Sequence, residues 1–388
     1  MKIAIINSGS SSIKCKVFLM PQGDVLAQAS IEKIGEDEST VIFKHGTNKQ
    51  VITSVIKTHN EGLGEINALL KKHKIVEHFS ALDVIAHRVV HGGEYFKGAT
   101  KIDDNVIEKI KELIPLAPLH NQINLEGILI TIKEAPNVPQ IAIFDTAFHS
   151  SLPKKAYLYA LPYELYEKHK IRRYGFHGTS HSYVMKEAAK AMNRDVKELN
   201  IITLHLGNGA SVCAIQNGES IDTSMGFTPL EGLIMGSRCG DLDPAILLYL
   251  QRELGLSTDE VDELLNKQSG LLGICGEKDV REIKKRDDEL ARLALEMMVR
   301  RVKKYIGSYM ALLGRVDALV FTAGIGERSA SLRAGILQNL DLLGIDIDKE
   351  ANKQDATLIS SSSSKIKVFT IKTDEELEMA RECMEFLL

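Results

Sequence analysis

The sequence has no apolar run near the ~18 residues of a membrane-spanning helix, no Cys-x-x-Cys pair and no excess of basic residues. Its five cysteines, Cys15, Cys213, Cys239, Cys275 and Cys383, are odd in number and widely spaced, so neither a disulfide framework nor a zinc site is indicated. Reduced thiols of a cytoplasmic protein are expected instead. The net charge of -4 gives no support to partners such as nucleic acid or a membrane surface. The apolar run at residues 3–6 stops at Asn7, too short for a signal peptide. Two nucleotide-binding signatures are also missing. No Gly-x-x-x-x-Gly-Lys-Ser/Thr occurs, and Gly207-Asn208-Gly209 is followed by Val212 where a dinucleotide fingerprint needs a third glycine.

What is present is an ordinary globular composition, 44% hydrophobic and 26% charged over 388 residues, a length for which two domains are expected. Residues 141–144 read as a buried strand that halts on Asp145, which presents an acid at a carboxyl edge, where open α/β sheets bind ligands. Residues 82–86 form another such strand. It leads to Arg88, which points at the same edge if the two strands are parallel; a structural salt bridge is the alternative role for Arg88. Asn7 to Ser12 is a polar turn between strands at 3–6 and 13–20, and residues 207–211 form a second polar turn between strands at 201–206 and 212–215. Two such hairpins half a chain apart suggest a duplicated fold that clasps one polyanion, with phosphate the natural candidate.

Further along, Pro115 and Pro118 stiffen a loop that carries His120 ahead of a helix starting near Ile123. Thr179 or Ser180 is expected to cap a helix through Met192. Arg238 sits between glycines with no evident structural reason. Leu290, Leu293, Ala294, Met297, Val302, Ile306, Tyr309 and Leu313 mark a long amphipathic helix whose methionines belong to the core. Residues 318–321 form a strand that feeds a glycine turn at 324–326. After the last strand, Thr373 and Glu376 match a capping box, which leaves Glu375 to face the ligand.

Taken together, the motifs HRVVHGGE (87–94), APLHN (117–121), FDTAFH (144–149), GFHGTSH (175–181), HLGNGAS (205–211), DTSMGFTPLEGL (222–233), MGSRCGDLDP (235–244), FTAGIGERS (321–329) and TDEE (373–376), with Asn7 to Lys14, resemble the acetate kinases. The resemblance implies an α/β fold of two duplicated ribonuclease-H-like, actin-like ATPase domains with the active site in the cleft between them. The expected division is residues 1–150 plus 379–388, and residues 151–378 as the nucleotide-binding domain. It further implies a cytoplasmic homodimer, Mg²⁺ (with Mn²⁺ an alternative), and reversible phosphoryl transfer between ATP and acetate, giving acetyl phosphate and ADP.

Carried over by position, the resemblance makes Arg88, Asp145, His177 and Arg238 the catalytic set, with Arg88, His177 and Arg238 holding the carboxylate and the migrating phosphoryl group. Asn7 and Glu375 fall on the metal side with Asp145, and Lys14, close to them, is counted with the nucleotide-binding residues. His120 is a further phosphate contact, and Val90, Leu119, Phe176 and Pro229 form the pocket for the acyl methyl. The nucleotide segments are His205, Leu206, Gly207, Asn208 and Gly209; Asp279, Val280 and Arg281; and Gly324, Ile325, Gly326, Glu327 and Arg328. The family usually has Asn where this chain has Arg328, which bears on nucleotide preference. A carboxylic acid is already ionised at pH 7, so no general base is required and Asp145 is expected to organise metal and water. Direct in-line transfer with inversion is expected. The alternatives are a sugar kinase with Asp145 as base, and a non-enzymatic ATPase scaffold.

Overall fold

The computed structural model describes residues 1–388, with every side chain except that of Leu119. The chain forms two compact units, Met1–Phe148 with Asp374–Leu388, and His149–Thr373. The first unit holds strands β1 Lys2–Gly9, β2 Ser12–Leu19, β3 Asp24–Glu32, β4 Ser39–His45, β5 Asn48–Ser54, β6 Val84–Val89, β7 Thr100–Lys101 and β8 Gln140–Phe144, with helices α1 His59–Lys72, α2 Asp104–Glu112 and α3 Pro118–Glu134. The second holds β9 Asn200–Leu206, β10 Ala210–Gln216, β11 Glu219–Thr223, β12 Ala318–Thr322 and β13 Lys367–Thr370. Its helices are α4 Lys154–Tyr157, α5 Tyr163–His169, α6 Gly178–Ala191, α7 Ala245–Glu253, α8 Thr258–Lys267, α9 Gly270–Cys275, α10 Val280–Ile283, α11 Glu289–Leu313, α12 Ala323–Arg328, α13 Ala330–Leu337 and α14 Lys349–Lys353. The final helix, α15 Glu375–Leu387, returns to the first unit. The return starts at Asp374, ahead of the expected residue 379, so Glu375 is a residue of the first unit.

Both sheets follow one plan. The first has the order β5-β4-β3-β2-β1-β6-β8-β7, the second β11-β10-β9-β12-β13. In each, an antiparallel hairpin (β1–β2, β9–β10) is followed in the sheet by parallel strands, β6 and β8 in one and β12 and β13 in the other. This placement puts the ends of β1, β6 and β8 along one carboxyl edge, and those of β9, β12 and β13 along another.

Several local expectations shift. Asn7 and Ser12 lie within paired strands, because the first hairpin runs in register to Gly9↔Ser12 and turns on Ser10 and Ser11 alone. Helix α3 starts at Pro118, not near Ile123: proline at the first helical position loses no hydrogen bond, since that amide has no intrahelical partner. Asp374, not Thr373, caps α15, accepting from the Leu377 amide at 3.1 Å. The glycine turn at 324–326 is helical and belongs to α12. On α11 the buried stripe is Ala291, Ala294, Met298, Val302, Ile306, Tyr309 and Leu313, while Leu290, Leu293 and Met297 face solvent. The edge strand β5 and the short β11 have no counterpart in the sequence reading; β5 is mostly polar and exposed, so it shows little apolar alternation. Among the described residues no helix is long and apolar enough to cross a membrane.

Candidate active site

Side-chain alternation decides what reaches the carboxyl edge of the first sheet. Ile3 and Ile5 of β1, Val84 and Ala86 of β6, and Ile141 and Ile143 of β8 share one buried face with Met379, Ala380 and Cys383 of α15. With a period of two, the next residues on that face are Asn7, Arg88 and Asp145. Asn7 stands opposite Lys14 in the β1–β2 register. The face ends at the start of α15, where Asp374 caps the helix and pairs with Lys16 at 2.9 Å. Five sequence-predicted residues, Asn7, Lys14, Arg88, Asp145 and Glu375, are thus delivered to one edge.

Arg88 and Asp145 meet there through two parallel bonds, Nε to Oδ1 at 2.9 Å and Nη2 to Oδ2 at 2.6 Å. The aspartate side chain is 4% exposed. Its charge is the main reason the guanidinium is held above its ordinary range. This is the salt bridge offered above as the alternative role for Arg88, and it fixes both groups at the edge. Burial pushes the Glu375 carboxyl up to about 6; Asp145 and Glu376 add to the rise, while Arg88 and Lys14 oppose it. Two carboxylates among other charges suit a divalent cation that keeps waters and takes its remaining oxygens from a phosphate.

The loop after β6 is pinned by two asparagines that the sequence reading missed. Asn124 accepts from the Val90 amide at 3.1 Å and donates to the Ser8 carbonyl at 2.8 Å. Asn121 accepts from the His91 amide at 3.0 Å and donates to its carbonyl at 2.9 Å. Their signal was a pair of polar residues three apart on a buried helix face, 0% and 3% exposed. Val90 is buried, and His120 is exposed in the first turn of α3. The side chain of Leu119 lies outside the described residues.

In the second unit the β9–β10 turn closes with Gly207 N donating to Gly209 O at 3.1 Å, and Asn208 O accepts from Gly236 N at 3.1 Å. That second bond ties the hairpin to the loop bearing Arg238. His177 occupies the N-cap position of α6 with φ 57°, ψ 24°, so neither Thr179 nor Ser180 is the cap. Left-handed backbone at a non-glycine residue costs on the order of 1 kcal/mol or more, and such strain clusters at working sites. A Cβ placed on Gly209 would lie 3.4 Å from His177 Nε2 and 3.7 Å from Arg238 Nη1, so the imidazole and the guanidinium flank one glycine. Arg238 donates to the Pro229 carbonyl at 3.1 Å. Among the described residues no carboxylate pairs with it, and burial lowers its pKa.

Hydroxyls join the imidazoles. Ser211 Oγ lies 2.8 Å from both His177 Nδ1 and His181 Nε2, and His181 Nδ1 lies 2.7 Å from Thr203 Oγ1. Ser180 Oγ lies 2.8 Å from His205 Nδ1 and 3.0 Å from Thr373 Oγ1. The rings of His177 and His205 stack at 4.1 Å. His149 bonds Ser220 Oγ and the Phe176 carbonyl, and burial drives it down to about 4.

The remaining segments that the resemblance assigns to the nucleotide differ in what they expose. Leu206 and Val280 are buried in the core, so only their main chains are available. Asp279 caps α10 and pairs with Arg281, whose hydrogen bond lowers the acid to about 2. Gly326 places α12 against β9, within ordinary contact distance of Leu206 and the Leu204 carbonyl. Glu327 accepts from the Thr373 amide at 3.2 Å. Arg333, wholly buried, holds the Gly326 carbonyl at 2.8 Å. Arg328 and Lys284 line a cavity of about 950 Å³ with Ser331 and Gly335.

Comparisons with known proteins agree over the full length. The sequence profile of the acetokinase family matches residues 2–381. An acetate kinase from Sulfurimonas denitrificans is 65% identical over 387 residues, covering 100% of both chains, and one from Campylobacter lari is 50% identical, covering 100% of this chain and 99% of that one. Among solved structures, an acetate kinase from Porphyromonas gingivalis superposes with TM-score 0.94 at 42% identity, covering 100% of each chain. A propionate kinase from Francisella tularensis gives 0.93 at 43%, covering 98% of each. With two sheets of one plan and these neighbours, the fold is the duplicated actin-like ATPase fold, and the chain belongs to the acetokinase family, kinases that phosphorylate acetate from ATP.

Proposed function

We propose that this chain transfers the γ-phosphoryl group of ATP reversibly to acetate by direct in-line displacement, with Mg²⁺, as a cytoplasmic homodimer. The observation that carries the residue assignment is Arg238: a largely buried guanidinium with no carboxylate partner among the described residues, set beside His177 at the glycine hairpin. Such a group is poised for an anion, and a catalytic arginine can be worth roughly 10³ to 10⁵ in rate. In this reading Arg238 offsets the charge on the equatorial oxygens of the migrating phosphoryl group, His177 donates a hydrogen bond to them, and the hairpin amides at 207–209 receive nucleotide phosphates. Gly324 to Arg328 and Asp279 to Arg281 flank the nucleoside. Arg88 meets the acid's carboxylate and Asp145 orders what surrounds it, while Val90, Phe176, Pro229 and Leu119 enclose the methyl. His120 is a further phosphate contact.

Glu375 and Asp145, with Asn7, would hold Mg²⁺, which when bound offsets the charge of the triphosphate. The acid arrives ionised, so Asp145 removes no proton. Acyl phosphate trapped with hydroxylamine from acetate, ATP and Mg²⁺ tests the reaction, and inversion at a chiral γ-phosphate tests the displacement. Sedimentation of the purified chain tests the dimer.

The propionate kinase among the structural neighbours makes the choice of acid a matter of pocket volume. One methylene is worth only about 1 to 3 kcal/mol. We assign acetate as the preferred acid, and a kcat/KM series over short-chain acids decides it.

A further inference from the structure

We propose that Ser211 and His181 are positioning residues that hold His177 as the neutral imidazole with its proton on Nε2. The inference rests on the proposed role of His177 toward the phosphoryl group. Four groups stand in a row: Thr203 Oγ1, His181, Ser211 Oγ and Nδ1 of His177, with successive contacts of 2.7, 2.8 and 2.8 Å. His181 is wholly buried, and burial together with its histidine neighbours keeps its pKa well below the ordinary value, so it carries one ring proton. Ser211 is also fully buried and has a single hydrogen to share between two imidazole nitrogens.

The row can therefore run in only two directions. If Thr203 donates to His181 Nδ1, then His181 Nε2–H donates to Ser211, Ser211 donates to His177 Nδ1, and the His177 proton sits on Nε2. Run in reverse, the row puts the proton on His177 Nδ1 and leaves Nε2 a lone pair unless the ring takes a second proton. A phosphoryl oxygen is an acceptor, so Nε2, the nitrogen that faces Gly209, must donate. Arg238, whose Nη1 flanks the same glycine, already brings a positive charge to that side, so the ring need only donate a hydrogen bond. The forward direction meets all these demands without charging the ring. His205 has a similar support in Ser180 and Thr373, so each stacked imidazole is oriented by its own hydroxyl.

The test is nitrogen NMR on the full-length chain with ¹⁵N-labelled histidine at pH 8, His177 being assigned by its loss in His177→Gln. The expected spectrum shows His177 neutral with the proton on Nε2; a proton on Nδ1, or an imidazolium, overturns the proposal. In Ser211→Ala the tautomer bias is lost and kcat falls by about 10-fold or more, while KM for acetate and for ATP stays within about 2-fold. Thr203→Val, which keeps shape and removes the hydroxyl, shifts the same resonance in the same direction. Unchanged His177 signals and unchanged kcat in both variants would also overturn it. Hydroxamate formation by the unaltered chain is read separately: its absence sinks the kinase reading while the tautomer measurement stands on its own.

Discussion

At the carboxyl edge of β1, β6 and β8 stand Arg88, Lys14, Asp145 and Glu375, with the charges largely answered within the group. At the matching edge, where β9 and β12 end and β10 begins, stand His177, His205 and Arg238, the imidazoles joined by hydroxyls and the guanidinium without a carboxylate among the described residues. The strand plan is the same in both sheets. Topology therefore determines where side chains are delivered, and the residues delivered decide the chemistry. The first edge is charge-balanced and held by its own salt bridge. The second leaves one cation with no carboxylate partner among the described residues.

The sharpest way to break this contrast is to remove each arginine in turn. Arg238→Ala is expected to lower kcat/KM by roughly 10³-fold or more, with a melting temperature that does not fall, because no buried acid loses its partner. A marked drop in stability would make Arg238 structural. Arg88→Ala is expected to lose activity and also about 3–5 kcal/mol of stability in urea unfolding, since Asp145 would be left charged and buried. Asn124→Ala frees the Val90 amide and the Ser8 carbonyl together; a cost of about 1–3 kcal/mol and a raised KM for the acid are expected.

Smaller effects sharpen the first edge further. Because Glu375 keeps its proton to about pH 6 in the folded chain, the folded state binds more protons than the unfolded one between the ordinary carboxyl range and pH 6. Stability therefore declines as pH rises through that window, by up to about 2 kcal/mol. Glu375→Gln removes the decline and is the more stable protein at pH 7–8. The Mg²⁺ needed for half-maximal rate should rise as pH drops below 6, and a flat Mg²⁺ requirement from pH 5.5 to 8 would detach Glu375 from the metal. Least of all, Val90→Ala is expected to move preference toward propionate by roughly 1 kcal/mol in kcat/KM; no shift would take Val90 out of the pocket.

Much of this was legible in the chain itself. Buried strands that stop on Asp145 and run past Arg88 gave the first edge, and paired polar hairpins at Asn7 and Gly207 gave the duplication. The motif series from HRVVHGGE to TDEE brought the family. Less legible were the supports. Ser211, His181, Asn121 and Asn124 act through contacts that join residues 22 to 116 positions apart, and no local period announces those. Cap positions also slipped. At His177 a left-handed residue replaces the expected serine or threonine cap, and at Asp374 the capping acid lies one residue after the predicted Thr373. Pairing Leu290, Leu293 and Met297 with the α11 core failed because the stripe is set by what the helix packs on, not by apolar count alone.

The bond from Lys16 to Asp374 spans 358 positions of chain. A ribosome exposes the first hairpin long before it exposes α15, so the strand edge with Arg88 and Asp145 must wait, half-built, until residues 374–387 emerge. Glu375 arrives long after Asp145. A nascent chain shorter than that lacks both the Lys16–Asp374 pair and Glu375, so the first edge is completed only after α15 has been made.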